Sequence, residues 1–86
     1  MFEYDKNKSS SNKTKHGIDF EAAIELWKEP ERVVLKARHV EENRYLLIGR
    51  INKNIWSAIY TLRGKHIRII SIRKSREDEK EIYFGN

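Results

Sequence analysis

The chain has no cysteine and a single proline among its 86 residues. Without cysteine it can form no disulfide, no thiolate zinc site and no cysteine nucleophile, a composition that suits a reducing cytoplasm. Long hydrophobic runs are missing too: no uninterrupted apolar stretch approaches the roughly 20 residues that a membrane span needs. The opening MFEYDKNK lacks the apolar core of a signal peptide. The expectation is a soluble, cytoplasmic protein. At this length it should form one domain, residues 1–86, with a modest core and marginal stability. Acid is the scarcer charge: 13 Asp and Glu stand against 18 Lys and Arg, a formal net charge of +5. A basic balance of this kind favours nucleic acid, an anionic membrane surface or an acidic protein as partner.

The distribution of charge says more than its total. Lys6 to Ile18 holds four lysines and His16 with no acid, and Arg63 to Arg76 holds six Lys or Arg and His66, again with no acid. Between them Asp19 to Glu42 leans acidic, and Glu77-Asp78-Glu79 follows the second block. If the two basic blocks meet in space they form one positive patch. The three histidines, at 16, 39 and 66, show no tight metal-ligand spacing, so neither a metal site nor a cofactor is expected.

Elements follow from periodicity. Phe2-Glu3-Tyr4 alternates like a short edge strand, and Asp5 resembles a helix N-cap. The segment after it, KNKSSSNKTKH, is polar all round and poor in helix formers, so it reads equally as helix or loop. Gly17 would end such a helix. Asp19 caps the next one, in which Phe20, Ala23, Ile24 and Trp27 form an apolar stripe that Pro30 stops. Strands are expected from Val33 to about Arg38, Arg44 to Ile51, Ile55 to Leu62 and His66 to Arg73, joined by turns at 52–54 and 63–64. Ser75 with Asp78 resembles a capping box for a last short helix. The fold class is α+β: two N-terminal helices packed on a three- to four-stranded antiparallel meander, with a short C-terminal helix.

Alternation assigns faces. If Ile51 pairs with Ile55, then Arg50, Trp56, Ala58 and Tyr60 share one face, and Ser71 and Arg73 join it across the next turn. Arg68 and Arg73 then compete for that face, and both can occupy it only if the strand bulges.

Two blocks of motif resemble one known family. The first is Phe2, Tyr4, Asp5, Lys8, Asn12, Lys15-His16-Gly17, Phe20 and Ala23. The second is IGR at Ile48–Arg50, YTLRG at Tyr60–Gly64 and IRIISIRKS at Ile67–Ser75. Together, in order and across nearly the whole chain, they look like the BrnT toxins of type II toxin–antitoxin pairs. Two departures are local: SSS stands where relatives are alanine-rich, and Ile72 where many have alanine. The resemblance implies a RelE-like fold and a metal-independent endoribonuclease that inhibits translation. It also implies a BrnA-like ribbon-helix-helix antitoxin, a 2:2 complex with it, operator DNA bound through the antitoxin, and autorepression. It makes a helix of Asp5 to His16 despite the propensities.

RNA cleavage of this type needs a base for the 2′-hydroxyl, cations for the phosphorane, and help for the leaving 5′-oxygen. Arginine suits the second task, because its planar fork binds two phosphate oxygens and stays charged. The expected catalytic residues are Arg73, Lys74, Arg63 and Arg68, and the expected RNA-binding residues Arg50, Lys15, His16 and Tyr83. Each has a plainer role open to it. Arg73 and Lys74 would then be a solvated strand end pairing with Glu77 or Asp78. Arg68 would pair structurally with a carboxylate, and Arg63 would serve solubility alone. Lys15 and His16 would favour a helix C-terminus, and Tyr83 would pack with Ile82 and Phe84. Two other functions fit the same residues: a basic binding module without chemistry, and an inactive toxin relic that acts through its partner.

Overall fold

A computed structural model describes residues 1–37 and 41–85. Arg38, the expected end of one strand, and His39, one of the three histidines, lie outside them. The element order is β1 (Phe2–Glu3), α1 (Lys6–His16), α2 (Phe20–Ala23) continued by a 3₁₀ helix (Ile24–Lys28), β2 (Val33–Ala37), β3 (Arg44–Ile51), β4 (Asn54–Arg63), β5 (His66–Lys74) and α3 (Glu77–Phe84). The strands form one five-stranded sheet in the order β1-β5-β4-β3-β2. The class is α+β, but the sheet is larger than expected and mixed. β2 to β5 run antiparallel, whereas β1 pairs with β5 in parallel, Phe2 opposite Ile67 and Glu3 opposite Arg68. Among the described residues no helix is long and apolar enough to cross a membrane.

α1 forms although its residues favour it little, because its ends and its inner side are tied down. The Asp5 carboxylate accepts from the N–H groups of Asn7 (2.8 Å) and Lys8 (3.1 Å). Gly17 closes the helix at φ 85°, where a side chain would be strained. Two buried polar groups fix its position. Ser9 Oγ accepts from Phe20 N–H at 2.9 Å, and Asn12 Nδ2 donates to the Ile18 carbonyl at 2.8 Å while its Oδ1 accepts from Ile72 N–H at 3.2 Å. Asn12 therefore caps β5 beyond the end of β1.

The second helix departs from its expected form. Only one turn is α, and the rest is 3₁₀. The buried residues are Phe20, Ala23 and Leu26, three apart, while Ile24 and Trp27 are half-buried. That spacing matches three residues per turn better than 3.6. Gly49 lies beneath: a Cβ there would stand 3.2 Å from Leu26 Cδ2, so glycine lets the helix sit close on the sheet.

Register corrects the assignment of faces. The β3–β4 hairpin closes on two residues, Asn52 and Lys53, so Ile51 pairs with Asn54 and not with Ile55. Asn52 takes φ 56°, a conformation asparagine tolerates. The one-residue slip moves all of β4 relative to β3. One face now carries Leu47, Trp56, Ala58, Tyr60, Ile69 and Ile72, which pack with Ile18, Phe20, Ala23 and Leu26 into the main core. The other carries Ile48 and Ile55, which α3 covers with Tyr83, and beyond them Leu46, Ile59 and Ser71 in a half-buried row.

Candidate nucleic-acid interface

The two basic blocks lie side by side. β1 runs parallel to β5, α1 starts next to it at Asp5, and Asn12 reaches β5 at Ile72. α1 thus follows β5 in the same sense, and its basic end, with Lys13, Lys15 and His16, extends toward the Arg73–Lys74 end of the strand. All three are exposed.

β5 carries the arginines, and an irregularity decides where they point. Ile59 pairs with Ser71 but Tyr60 with Ile69, so Ile70 is an extra residue. This bulge restores the parity that alternation forbids: Arg73, Ser71 and Arg68 all lie on the α3 face, opposite Ser57, Ile59 and Thr61. The expected competition between Arg68 and Arg73 is resolved in favour of both. Arg50 is on this face as well, opposite Ile55. Tyr60 is not; it lies in the main core, stacked on Tyr45 at 5.4 Å and edge-on to Trp27. The surface drawn from Arg50, Tyr60, Ser71 and Arg73 therefore loses its tyrosine.

Arg73 sits in a polar cluster that sequence reasoning missed. Its Nη1 and Nη2 donate to Glu79 Oε1 and Oε2 at 2.7 and 2.8 Å. Glu79 Oε1 also accepts from Ser57 Oγ and from Arg76 N–H, both at 2.9 Å. Ser57 spends its one proton on Glu79, so the 2.7 Å contact to Ser75 Oγ has Ser75 as donor. Glu79 is 7 % exposed and Ser57 fully buried. The Arg73 guanidinium, with the Arg76 N–H and the Ser57 hydroxyl, outweighs burial and holds the Glu79 carboxyl down at about 2. The same pair raises Arg73 above the usual arginine value. The expected capping box falls one residue later than Ser75–Asp78: Arg76 is the N-cap, and Glu79 the side chain that reaches back. The acid in this cluster is Glu79, whereas Glu77 and Asp78 were the expected partners. A Glu three residues past a cap was the available signal, hidden by the choice of cap.

The carboxylate takes the end of the guanidinium, Nη1 and Nη2. Among the described residues no acceptor meets the side edge, Nε–H with the second Nη2–H, and the Arg73 side chain is 23 % exposed. That edge is itself a fork suited to two phosphate oxygens.

The other candidates scatter. Arg68 is paired with Glu3 at 3.7 Å, two rows along the same face, about 13 Å from Arg73 at ordinary strand spacing. Its charge also helps the Lys8 and Asn7 N–H groups lower the Asp5 carboxyl. Lys74 is exposed on the opposite face, beside Trp56. Arg63 opposes His66 at the far tip of the β4–β5 hairpin, about 20 Å from Arg73 by strand length. Arg50 lies over the rings of Tyr83 and Phe84, at 6.0 and 5.7 Å. Tyr83 does not offer a stacking surface: it is 6 % exposed, packed with Ile48 and Ile55, and its hydroxyl donates to Glu29 Oε1 at 2.8 Å. Burial and that bond push its phenol up. The exposed ring is its neighbour Phe84, at 60 %. Among the described residues no three His, Asp or Glu side chains come together as metal ligands.

A small basic α+β chain with arginines aligned on one sheet face fits a class of proteins that handle phosphodiesters. Residues 4–79 match the family described as ribonuclease toxin, BrnT, of type II toxin-antitoxin system. The match covers most of the chain, and the chain belongs to that family. No curated protein matches the chain.

Proposed function

We propose that the protein is a metal-independent endoribonuclease of RelE-like fold, acting as one domain over residues 1–86 and halting translation by cutting RNA. The observation that carries this reading is the Arg73–Glu79 pair: a guanidinium held from one end, with a second donor edge free. In the reaction, the 2′-hydroxyl loses its proton to a base and its oxygen attacks the adjacent phosphorus. The 5′-oxygen leaves with a proton, and a 2′,3′-cyclic phosphate remains. Arg73 binds the phosphate and stabilises the charge that builds on it, usually the largest catalytic contribution. Glu79 is unsuited to be the base, since its oxygens are occupied by four donors and its carboxyl stays ionised down to about 2. Arg68 and Arg50, on the same face at a distance, and Lys74, on the other face at the strand end, supply further positive charge for the RNA beyond Arg73. Lys15 and His16 guide the strand along α1, and Arg63 is an outer phosphate contact.

The partner is a BrnA-like ribbon-helix-helix antitoxin, which neutralises the toxin in a 2:2 complex and carries it to operator DNA, where the complex represses its own operon. The reading is tested by incubating pure protein with single-stranded RNA in EDTA. Products ending in 2′,3′-cyclic phosphate are expected, together with growth arrest on expression. Neither cleavage nor arrest would overturn the enzymatic reading in favour of a binding module or a relic.

A further inference from the structure

Beside Lys74 lies a cleft that the roles above leave unused. It measures about 190 Å³ and is lined by Lys53, Asn54, Ile55, Lys74, Lys80 and Phe84. Three ammonium groups from three elements (the β3–β4 turn, the end of β5 and α3) border one small space, and among the described residues no carboxylate lines it. Lys80 has an exposed partner in Glu77 at 3.4 Å. An anion placed between these groups would relieve their mutual repulsion. The fourth wall is aromatic. Phe84 is 60 % exposed, with Arg50 over one face of its ring at 5.7 Å and Tyr83 edge-on at 5.1 Å. Leaving so much of a phenylalanine in water is unfavourable unless something covers it. The cleft is smaller than the roughly 300–1,000 Å³ of a small-molecule pocket. It has room for one phosphate group beside the exposed Phe84 ring and is too small for a whole cofactor.

We infer that this cleft is a nucleotide subsite for single-stranded RNA, in which Lys53, Lys74 and Lys80 hold a backbone phosphate and an unpaired base stacks on Phe84. Three observations converge on it. Lysines beside an exposed ring are the usual equipment for binding a single strand without reading its sequence. Lys80 directly follows Glu79, the residue that holds Arg73, so a strand whose phosphate meets Arg73 passes along α3 to the cleft. And the cleft lies at the Lys74 end of β5, the end toward which the basic C-terminus of α1 also runs. The inference rests on RNA as the ligand and adds where, next to the scissile phosphate, the strand is gripped.

The test uses a fully 2′-O-methylated single-stranded oligonucleotide, which has no nucleophile and cannot be cut. Binding is measured for the wild type, Phe84→Leu and Lys53→Gln across a range of salt. Phe84→Leu keeps the apolar bulk and loses the π face, and it should weaken binding about tenfold, within the range of one lost stacking contact. The wild type's preference for this strand over a duplex of the same sequence should shrink with it. Lys53→Gln should reduce the slope of log K against log salt by about 0.7, one phosphate contact on a single strand. Both positions are exposed, so melting temperatures should match the wild type and separate lost binding from lost folding. Wild-type affinity in Phe84→Leu, or an unchanged slope in Lys53→Gln, overturns the subsite. So does a Phe84→Leu protein that keeps its RNA affinity and loses its antitoxin, which would give the cleft to the protein partner. If these binding results hold while the wild type fails to cut unmodified RNA, the ribonuclease reading falls and the subsite stands.

Discussion

Glu79 joins three pieces of the molecule through one carboxylate: β5 through Arg73, β4 through Ser57, and the start of α3 through the Arg76 N–H. Removing it leaves a partly buried guanidinium without its partner, at a cost of about 3 kcal/mol. Glu79→Ala should therefore lower the melting temperature by roughly 12–24 °C in a chain of this size, readable by calorimetry or circular dichroism. The pH dependence has a definite sign. The folded-state carboxyl is held at about 2, below its unfolded value, so its contribution is complete above about 4.5 and is lost as the pH falls toward 2. Urea titrations from pH 6 to 2 should show the wild type losing stability over that window, and Glu79→Gln losing less. Arg73→Lys keeps a charge but not the fork. It should cut activity at least tenfold with a smaller stability loss than Arg73→Ala, a contrast that divides the residue's two roles. The sequence pointed to Arg73 and to an acid of this run as its partner, but not to Glu79, one of three in a row. Which of them meets Arg73 depends on where α3 begins, and that was misplaced by one residue.

At the scale of elements, α1 was the least readable and is the most informative. Its serines look alike in the sequence and differ in the fold: Ser9 is buried and accepts from Phe20 N–H, while Ser10 and Ser11 are exposed. Alanine at Ser10 and Ser11 together should stabilise the protein by about 0.5–1 kcal/mol through helix propensity. Alanine at Ser9 should destabilise it by about 1–3 kcal/mol, because the Phe20 N–H is left unpaired. Thermal melts of the two variants should move in opposite directions. If Ser9→Ala also stabilises, the tie between α1 and α2 is not what holds the helix. β5 teaches the reverse lesson. Its limits and its apolar pattern could be read directly, and so could the condition that a bulge would place Arg68 and Arg73 together. The bulge itself follows from pairing to β4, which no local pattern encodes. In the same way the β3–β4 register turned on whether the hairpin loop holds two residues or three.

For the molecule as a whole, the order of elements, the α+β class and the basic character could be read from the chain, and the sidedness could not. Tyr60 was placed on the arginine face, and a single slipped residue sent it to the core. The parallel pairing of β1 had no signal stronger than two alternating residues. Its result is that the basic segments 6–18 and 63–76 lie next to each other. That adjacency predicts RNA affinity that falls steeply with salt. Binding of the uncleavable oligonucleotide should give a log–log slope reflecting several phosphate contacts at once. Charge reversal in α1, as in Lys15→Glu, should lower the slope without touching Arg73. A slope near zero would mean that the charge serves some other partner.

β1 can pair only with residues 67 and 68, and the Asn12 bond that fixes α1 waits for residue 72. α1 can meet α2 early through Ser9 and Asn12, but neither it nor β1 can join the sheet until β5 is made. Such long-range closure delays folding. The positive surface comes into being only once β5 is in place, and a chain that stops before residue 66 carries the first basic block with nothing to set it against.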